Sequence, residues 1–326
     1  MKIATPSRSH APRGNAIPDA LRPDFRDPQA LPICLAIAFL LIPLALAQAQ
    51  SPEEKQATVK FLQDLQSPSG GFLAGPEHPK MKKPTVPSLR ATNAALRALK
   101  YLGGEPRDPK AAARFVASCF DKSSGGFADR PNTGPDTVST AVGIMAVVEA
   151  KLPIEPYADA VVKYLGENAN GFEEIRLAAA GVEAISKRPP QADDWLKQIR
   201  AMQNPDGTFG KGAGVARDTG SAVAAILRLG GKIDHPEQVI QAMKEGQRPN
   251  GAFGKADVET SDLETTYRVT RSLHMLKAKP ADPDRVRAFI AKCRNADGGY
   301  AVAPGLLSSA SGTYFAAIIL HWLDEE

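Results

Sequence analysis

A chain of 326 residues with 43% hydrophobic content is long enough for a sizeable core and too apolar for general disorder. Its formal charge of +4 is spread along the chain without a long basic run, which excludes nucleic acid as a partner on charge grounds. The densest cluster, Lys80, Lys82 and Lys83 beside Pro84 and Pro87, reads as a solvated loop.

Residues 31–47 are apolar throughout, follow Arg8, Arg13, Arg22 and Arg26, and end on Ala45-Leu46-Ala47, an A-x-A cleavage signal. The leader before this run is some 30 residues, long for a signal peptide, and the run is just long enough to persist as a membrane anchor. Residues 1–47 are therefore read as a signal peptide or anchor, and 48–326 as a secreted or periplasmic domain, with any membrane association made through the N-terminal segment. Cys34 lies near the start of the run, where a lipid-modified cysteine is not expected.

From there a repeat runs through the chain. Three segments match Q-x-x-x-G-x-F without gaps: Gln66, Gly70 and Phe72; Gln203, Gly207 and Phe209; Gln247, Gly251 and Phe253. Asp121, Gly125 and Phe127, and then Arg294, Gly298 and Tyr300, keep the turn and lose the glutamine; Asn170-Gly171-Phe172 is a shortened sixth. The aromatics fall roughly 37 to 55 residues apart, near the period of a helical pair. Before each motif runs an amphipathic stretch, such as Ala57, Phe61, Leu62 and Leu65, whose spacing of three and four marks one helical face. The glycine takes positive φ and stops that helix, and the aromatic fills an apolar groove. A second helix then opens near Ser88, Asp136, Glu173, Asp218, Asp262 and Ala310, with a cap-like residue at several of these positions. The second helices are rich in small residues, among them Ala91, Ala94, Ala95, Ala178, Ala179 and Ala180, which suits a crowded inner position. A helical pair cannot bury both faces alone, so pairs stack. The expected fold is all-α, an α/α toroid of about six helical pairs with a central cavity. All inner-helix N-termini meet at one rim, where free N–H groups favour anions.

Cys119 and Cys293 occupy the same place in non-neighbouring repeats and read as two buried thiols. His274 and His321 lie late in inner helices, where satisfied core histidines are expected. The chain carries no G-x-S-x-G, HExxH or CxxC motif, nor a convincing carboxylate pair for glycan cleavage.

The glutamine, glycine and aromatic at this spacing resemble the repeat of squalene-type cyclases, with Phe or Tyr where tryptophan is usual. The G-G-F loop leading into an inner helix is similar to protein prenyltransferase β subunits. Locally, Gly125-Gly126-Phe127-Ala128-Asp129-Arg130-Pro131 resembles a loop of the Rab geranylgeranyltransferase β subunit. The resemblance covers about residues 52–326. Prenyltransferases imply a zinc site of D-x-C at one inner-helix start plus a later histidine. Here the aspartate falls on Asp262, the cysteine on Glu264 and the histidine on Gly312, or on Ser139 in the Rab-like loop. One expected ligand of three is retained, and no zinc or other cofactor is expected. Asp262 and Glu264 either hold a hard cation or form a helix N-cap with an acidic first turn. The basic residues expected just before that aspartate fall on Ala256 and Glu259. Glu174-Ile175-Arg176 and Ser88-Leu89-Arg90 partly match another family motif, D-x-R, which makes Arg176 and Arg90 the candidate phosphate ligands. The cyclases imply D-x-D-D as a proton donor. Asp262-Leu263-Glu264-Thr265 resembles it, giving Asp262 and Glu264 as catalytic candidates, while Tyr267 and Tyr314, with Phe315 and Trp322, are among the few inner-helix aromatics available to a substrate. Two functions stand. One is a non-catalytic exported toroid binding a hydrophobic or isoprenoid ligand, a peptide or a protein partner. The other is an isoprenoid-handling enzyme, a prenyltransferase or terpenoid cyclase with a divergent site.

Overall fold

The computed structural model describes residues 50–77 and 85–325. The N-terminal leader with Cys34, and the Lys80, Lys82 and Lys83 cluster, lie outside the described residues.

Twelve α-helices alternate between two concentric rings among the described residues. The outer helices are α1 (Pro52–Asp64), α3 (Pro109–Ser118), α5 (Glu155–Asn168), α7 (Ala192–Arg200), α9 (Pro236–Glu245) and α11 (Pro283–Lys292). The inner ones are α2 (Leu89–Leu102), α4 (Thr137–Glu149), α6 (Gly171–Ala184), α8 (Val215–Arg228), α10 (Leu263–Met275) and α12 (Ala310–Asp324). Each inner helix packs on the next, and α12 returns to pack on α2, so the ring closes. The fold expectation is met in class, in number of pairs and in the inward placement of the alanine-rich helices.

The repeat motif explains how one pair is fixed to the next. Its turn is a tight hairpin: β1 (Phe120–Asp121) and β2 (Gly126–Phe127) pair antiparallel, and single bridges join Gln66 to Phe72, Gln203 to Phe209 and Arg294 to Tyr300 at the equivalent places. Gly207 has φ of +85° and Gly251 of +92°, a left-handed conformation that other residues adopt only with strain. Phe72, Phe127 and Phe253 are fully buried. The backbone N–H of each aromatic donates to a threonine on the following inner helix: Phe72 to Thr92 at 2.9 Å, Phe127 to Thr140 at 2.9 Å, Phe253 to Thr266 at 3.1 Å. The glutamine is a cross-repeat clamp. Gln247 Nε2 donates to the carbonyls of Gly251 (2.7 Å) and Asp282 (2.8 Å), and its Oε1 accepts from the Asp282 N–H at 2.8 Å. Asp282 caps α11, so one side chain ties a turn to the start of the next outer helix. Gln66 does the same for Asp108 at the start of α3.

Closure repeats these contacts across the ends of the chain. Thr58 Oγ1 donates to the Gly298 carbonyl at 2.8 Å, and the Ala310 N–H to the Ala74 carbonyl at 2.9 Å. Ser88, Asp136 and Asp262 cap α2, α4 and α10 as expected, each accepting a backbone N–H. Two starts differ. α8 opens at Val215, and Asp218 lies in its first turn, because Gly210 and Gly212, both at positive φ, lead through the 3-10 turn Gly212–Gly214 directly into the helix. Asn170-Gly171-Phe172 is not a hairpin; Gly171 is already the first residue of α6. Cys119 and Cys293 are buried free thiols, and burial pushes both up to about 12.

The candidate site is an arginine-lined central cavity

The inner ring encloses a cavity of about 210 Å³. Its wall takes side chains from all six inner helices, α8 contributing Arg228 at its last position. Five of the six expected site residues line it: Arg90, Arg176, Glu264, Tyr267 and Tyr314. Asp262 does not. Its two carboxylate oxygens accept from the N–H (2.7 Å) and the Oγ1 hydroxyl (2.9 Å) of Thr265, so its side chain is occupied as the cap of α10.

Glu264 points inward and accepts from Arg268 Nη2 at 2.7 Å. Arg268 Nη1 also donates to Glu173 at 3.0 Å, and Glu173 accepts from Arg176 Nη2 at 2.8 Å. A charge chain thus links α10 to α6: Glu264, Arg268, Glu173, Arg176. Burial pushes the Glu173 carboxyl up, but Arg176 and Arg268 outweigh it and hold it at about 2. Arg176 itself is buried, and burial together with Arg268 lowers it. Arg90 is different. It stands at the rim, half exposed, 3.7 Å from both Asp129 and Asp136.

Deeper in the cavity, Tyr267 and Tyr314 bring their hydroxyls to 3.1 Å. Arg271 Nη1 lies 3.4 Å from the Tyr267 hydroxyl, and its guanidinium covers the Tyr267 ring at 5.1 Å from the centroid. Arg97 covers the Tyr314 ring at 4.8 Å. Burial raises Tyr267, but Arg271, Arg97 and Arg228 overcome it and bring the phenol down to about 7. Tyr314 moves the other way, raised by burial and by its charged neighbour Tyr267. Burial lowers Arg271 to about 10.

The residues not foreseen are Arg97, Arg228, Arg268 and Arg271. A signal was present in the sequence. Glu264, Tyr267, Arg268 and Arg271 recur at three- and four-residue spacing, and Arg90 and Arg97 are seven apart, so each set marks one face of an inner helix. The histidines also differ from expectation. His274 and His321 are not in the core; they are partly exposed and both face Glu325, at 3.6 Å and 2.8 Å. Each is near the C-terminal end of its helix, where side chains reach solvent beyond the ring.

The prenyltransferase alpha-alpha toroid domain matches residues 33–110, 106–177 and 176–326. This chain belongs to that family. Among curated proteins it resembles the drimenyl diphosphate synthase of Streptomyces showdoensis, 28% identical over 146 residues, covering 40% of this chain and 27% of that one. The chain thus spans about a quarter of that relative's length. Among solved structures, Candida albicans protein geranylgeranyltransferase-I complexed with GGPP superposes with a TM-score of 0.59 at 14% identity, covering 73% of this chain and 84% of that one. A glycosidase superposes at 0.57 with 13% identity, covering 83% and 96%. At such identities the likeness is one of fold, and the family shape alone does not select a chemistry.

Proposed function

We propose that this toroid is an exported binding protein that holds the head of an anionic amphiphile, of the isoprenoid or lipid class, in its central cavity. One observation carries the reading. The cavity wall combines buried guanidiniums with apolar surface from Val142, Met145, Leu177, Ala180 and Phe315. Guanidinium forks recognise phosphate or carboxylate oxygens, and the apolar strips take hydrocarbon. At about 210 Å³ the cavity is smaller than a typical ligand site, so it encloses a headgroup and its first carbons, and a longer tail leaves through the mouth. The family setting supports the ligand class, since the similar geranylgeranyltransferase was solved with GGPP. Export rests on the apolar run at residues 31–47 and its A-x-A end.

The donors at the zinc positions do not suit that metal. Asp262 is committed to Thr265, Glu264 to Arg268, and Gly312 supplies no side chain. Among the described residues no three His, Cys, Asp or Glu side chains are grouped to hold a metal ion. Reaction through a zinc-bound thiolate therefore has no support in these residues. The second reading, an enzyme with a divergent site, is favoured by Glu264 lining the cavity close to Tyr267. The Glu264 carboxylate, however, is already engaged by Arg268 at 2.7 Å, so it does not stand free toward a substrate.

Calorimetry on the purified full chain with farnesyl diphosphate, farnesol and zinc tests the reading. The diphosphate should bind at least about tenfold more tightly than the alcohol, a difference of about 1.4 kcal/mol, and zinc should not bind. Equal binding of diphosphate and alcohol, stoichiometric zinc, or formation of a cyclised or transferred prenyl product would each sink it.

A further inference from the structure

The third repeat lacks the clasp that closes the other five. Elsewhere the N–H of the turn aromatic donates to a threonine on the following inner helix, as Phe209 does to Thr219 at 2.9 Å and Tyr300 to Thr313 at 3.0 Å. In the third repeat only Ala169 and Asn170 separate α5 from α6, where the next pair uses residues 201–214. Ile175 takes the buried place that Leu89 and Leu263 hold at the starts of α2 and α10. Thr92 and Thr266 lie three residues after that place, and three residues after Ile175 is Ala178. Both halves of the clasp are therefore gone. In their stead α6 starts a turn early, with Gly171, Phe172, Glu173 and Glu174 ahead of Ile175.

Beside this added turn is a pocket of about 330 Å³, separate from the central cavity. Half-buried Phe172, Met202, buried Phe209 and Ala222 supply its apolar wall. Met202 is 47% exposed, a large apolar side chain left facing open space. The acids in the same wall are already answered: Asp218 by Arg217 at 3.2 Å, Glu173 by Arg176 and Arg268. No free carboxylate there calls for a cation. Glu173 also joins the two spaces. Its side chain lines the pocket, while its carboxylate accepts from two arginines that line the central cavity. On α8, Ser221 Oγ lies 3.4 Å from Arg268 Nη1, and the next residue, Ala222, is in the pocket wall. A single layer of side chains therefore separates pocket from cavity.

We propose that this pocket is the subsite for the hydrocarbon chain of an amphiphile whose head lies in the central cavity, the chain crossing the added turn of α6 to reach Phe172, Met202 and Phe209. The inference rests on the reading of the cavity as the ligand site and says where the rest of the ligand goes. An unbranched, flexible methionine between two aromatic rings adapts to an acyl or a prenyl chain alike. Each methylene withdrawn from water strengthens binding by about fourfold at most. Lengthening the chain should therefore raise affinity steeply until the pocket is filled.

Two measurements on the full chain test this. Calorimetry compares hexyl with dodecyl phosphate, and geranyl with farnesyl phosphate. The longer member of each pair should bind at least tenfold more tightly. Met202→Glu places a charge in the apolar wall at an exposed position. It should abolish most of that gain and leave hexyl phosphate binding within about twofold, while Met202→Leu keeps the gain. A larger gain in the alkyl pair assigns an acyl chain, and a larger gain in the prenyl pair an isoprenoid one. In the unaltered protein, dodecyl phosphate with a terminal diazirine should label Phe172, Met202 or Phe209 on irradiation, read by mass spectrometry of the digest. Label confined to Val86, Val258, Leu306 or Leu307, the exposed apolar residues ahead of α2, α10 and α12, overturns the proposal and leaves the cavity reading standing. An undiminished gain in Met202→Glu does the same. Failure of every phosphate to bind sinks the cavity reading and this inference with it.

Discussion

Removing Arg271 should make the ligand-free protein more stable. Among the described residues its Nε and Nη2 are buried without partners, and leaving a buried donor unsatisfied costs roughly 1–3 kcal/mol each. Methionine fills similar volume without those groups. Two contacts are lost in exchange. The guanidinium over the Tyr267 ring is worth about 0.5–2 kcal/mol, and the long hydrogen bond to its hydroxyl, at 3.4 Å, adds about 0.5 kcal/mol at most. The net expectation for Arg271→Met is stabilisation of about 1–3 kcal/mol, a rise in Tm of roughly 2–10 °C for a domain of this size. The assay is thermal unfolding followed by circular dichroism, on dialysed protein near pH 6, where Tyr267 is a neutral phenol. At higher pH the gain should shrink. Tyr267 titrates at about 7 in the folded chain, below its value of about 10 when unfolded, so it contributes stability that is complete above the unfolded value and is lost as pH falls through 7. Without Arg271 much of that contribution disappears. A lower Tm for Arg271→Met at pH 6 would refute the argument, because it would mean the guanidinium is satisfied in the empty cavity.

Other outcomes follow from the repeat and the rim. Phe209→Ala should cost about 3–5 kcal/mol in urea unfolding, since the ring is 3% exposed between repeats. Gly207→Val should cost more than about 1 kcal/mol, because φ is +85° and a Cβ would come within 3.1 Å of the Asp234 carbonyl. Gln247→Leu removes three hydrogen bonds that join a turn to α11 and should cost about 1–3 kcal/mol by the same measurement. Glu173 is held at about 2 by Arg176 and Arg268 against the opposing effect of burial. Its contribution is therefore present above pH 4.5 and lost as pH falls toward 2, and Glu173→Gln should flatten the acid limb of the Tm profile in that window.

The sequence by itself determined the toroid. Its signals are local: a glycine at positive φ after an amphipathic run, an aromatic two residues later, and a capping serine or aspartate before the next helix. Each acts within a few residues, so each could be read without the fold, and their recurrence fixed the number of pairs. The exceptions were also local. Asp218 resembles a cap, but Gly210 and Gly212 start α8 a turn earlier. Gly171-Phe172 resembles a turn and begins a helix.

The interior of the ring was decided only by tertiary structure. Arg97, Arg176, Arg228, Arg268 and Arg271 come from four helices spread over some 175 residues, and nothing in any one helix states that its charged stripe faces inward. Read locally, an arginine at helical spacing is a solvated surface residue. Closure of α12 onto α2 turns those stripes toward one small space, where burial and mutual repulsion replace hydration. The same closure sets Tyr267 beside Tyr314, an encounter of α10 with α12 that sequence spacing does not encode. Charge sums belong to an enclosed volume rather than to a segment, so the unpaired guanidinium became visible only once the ring was complete.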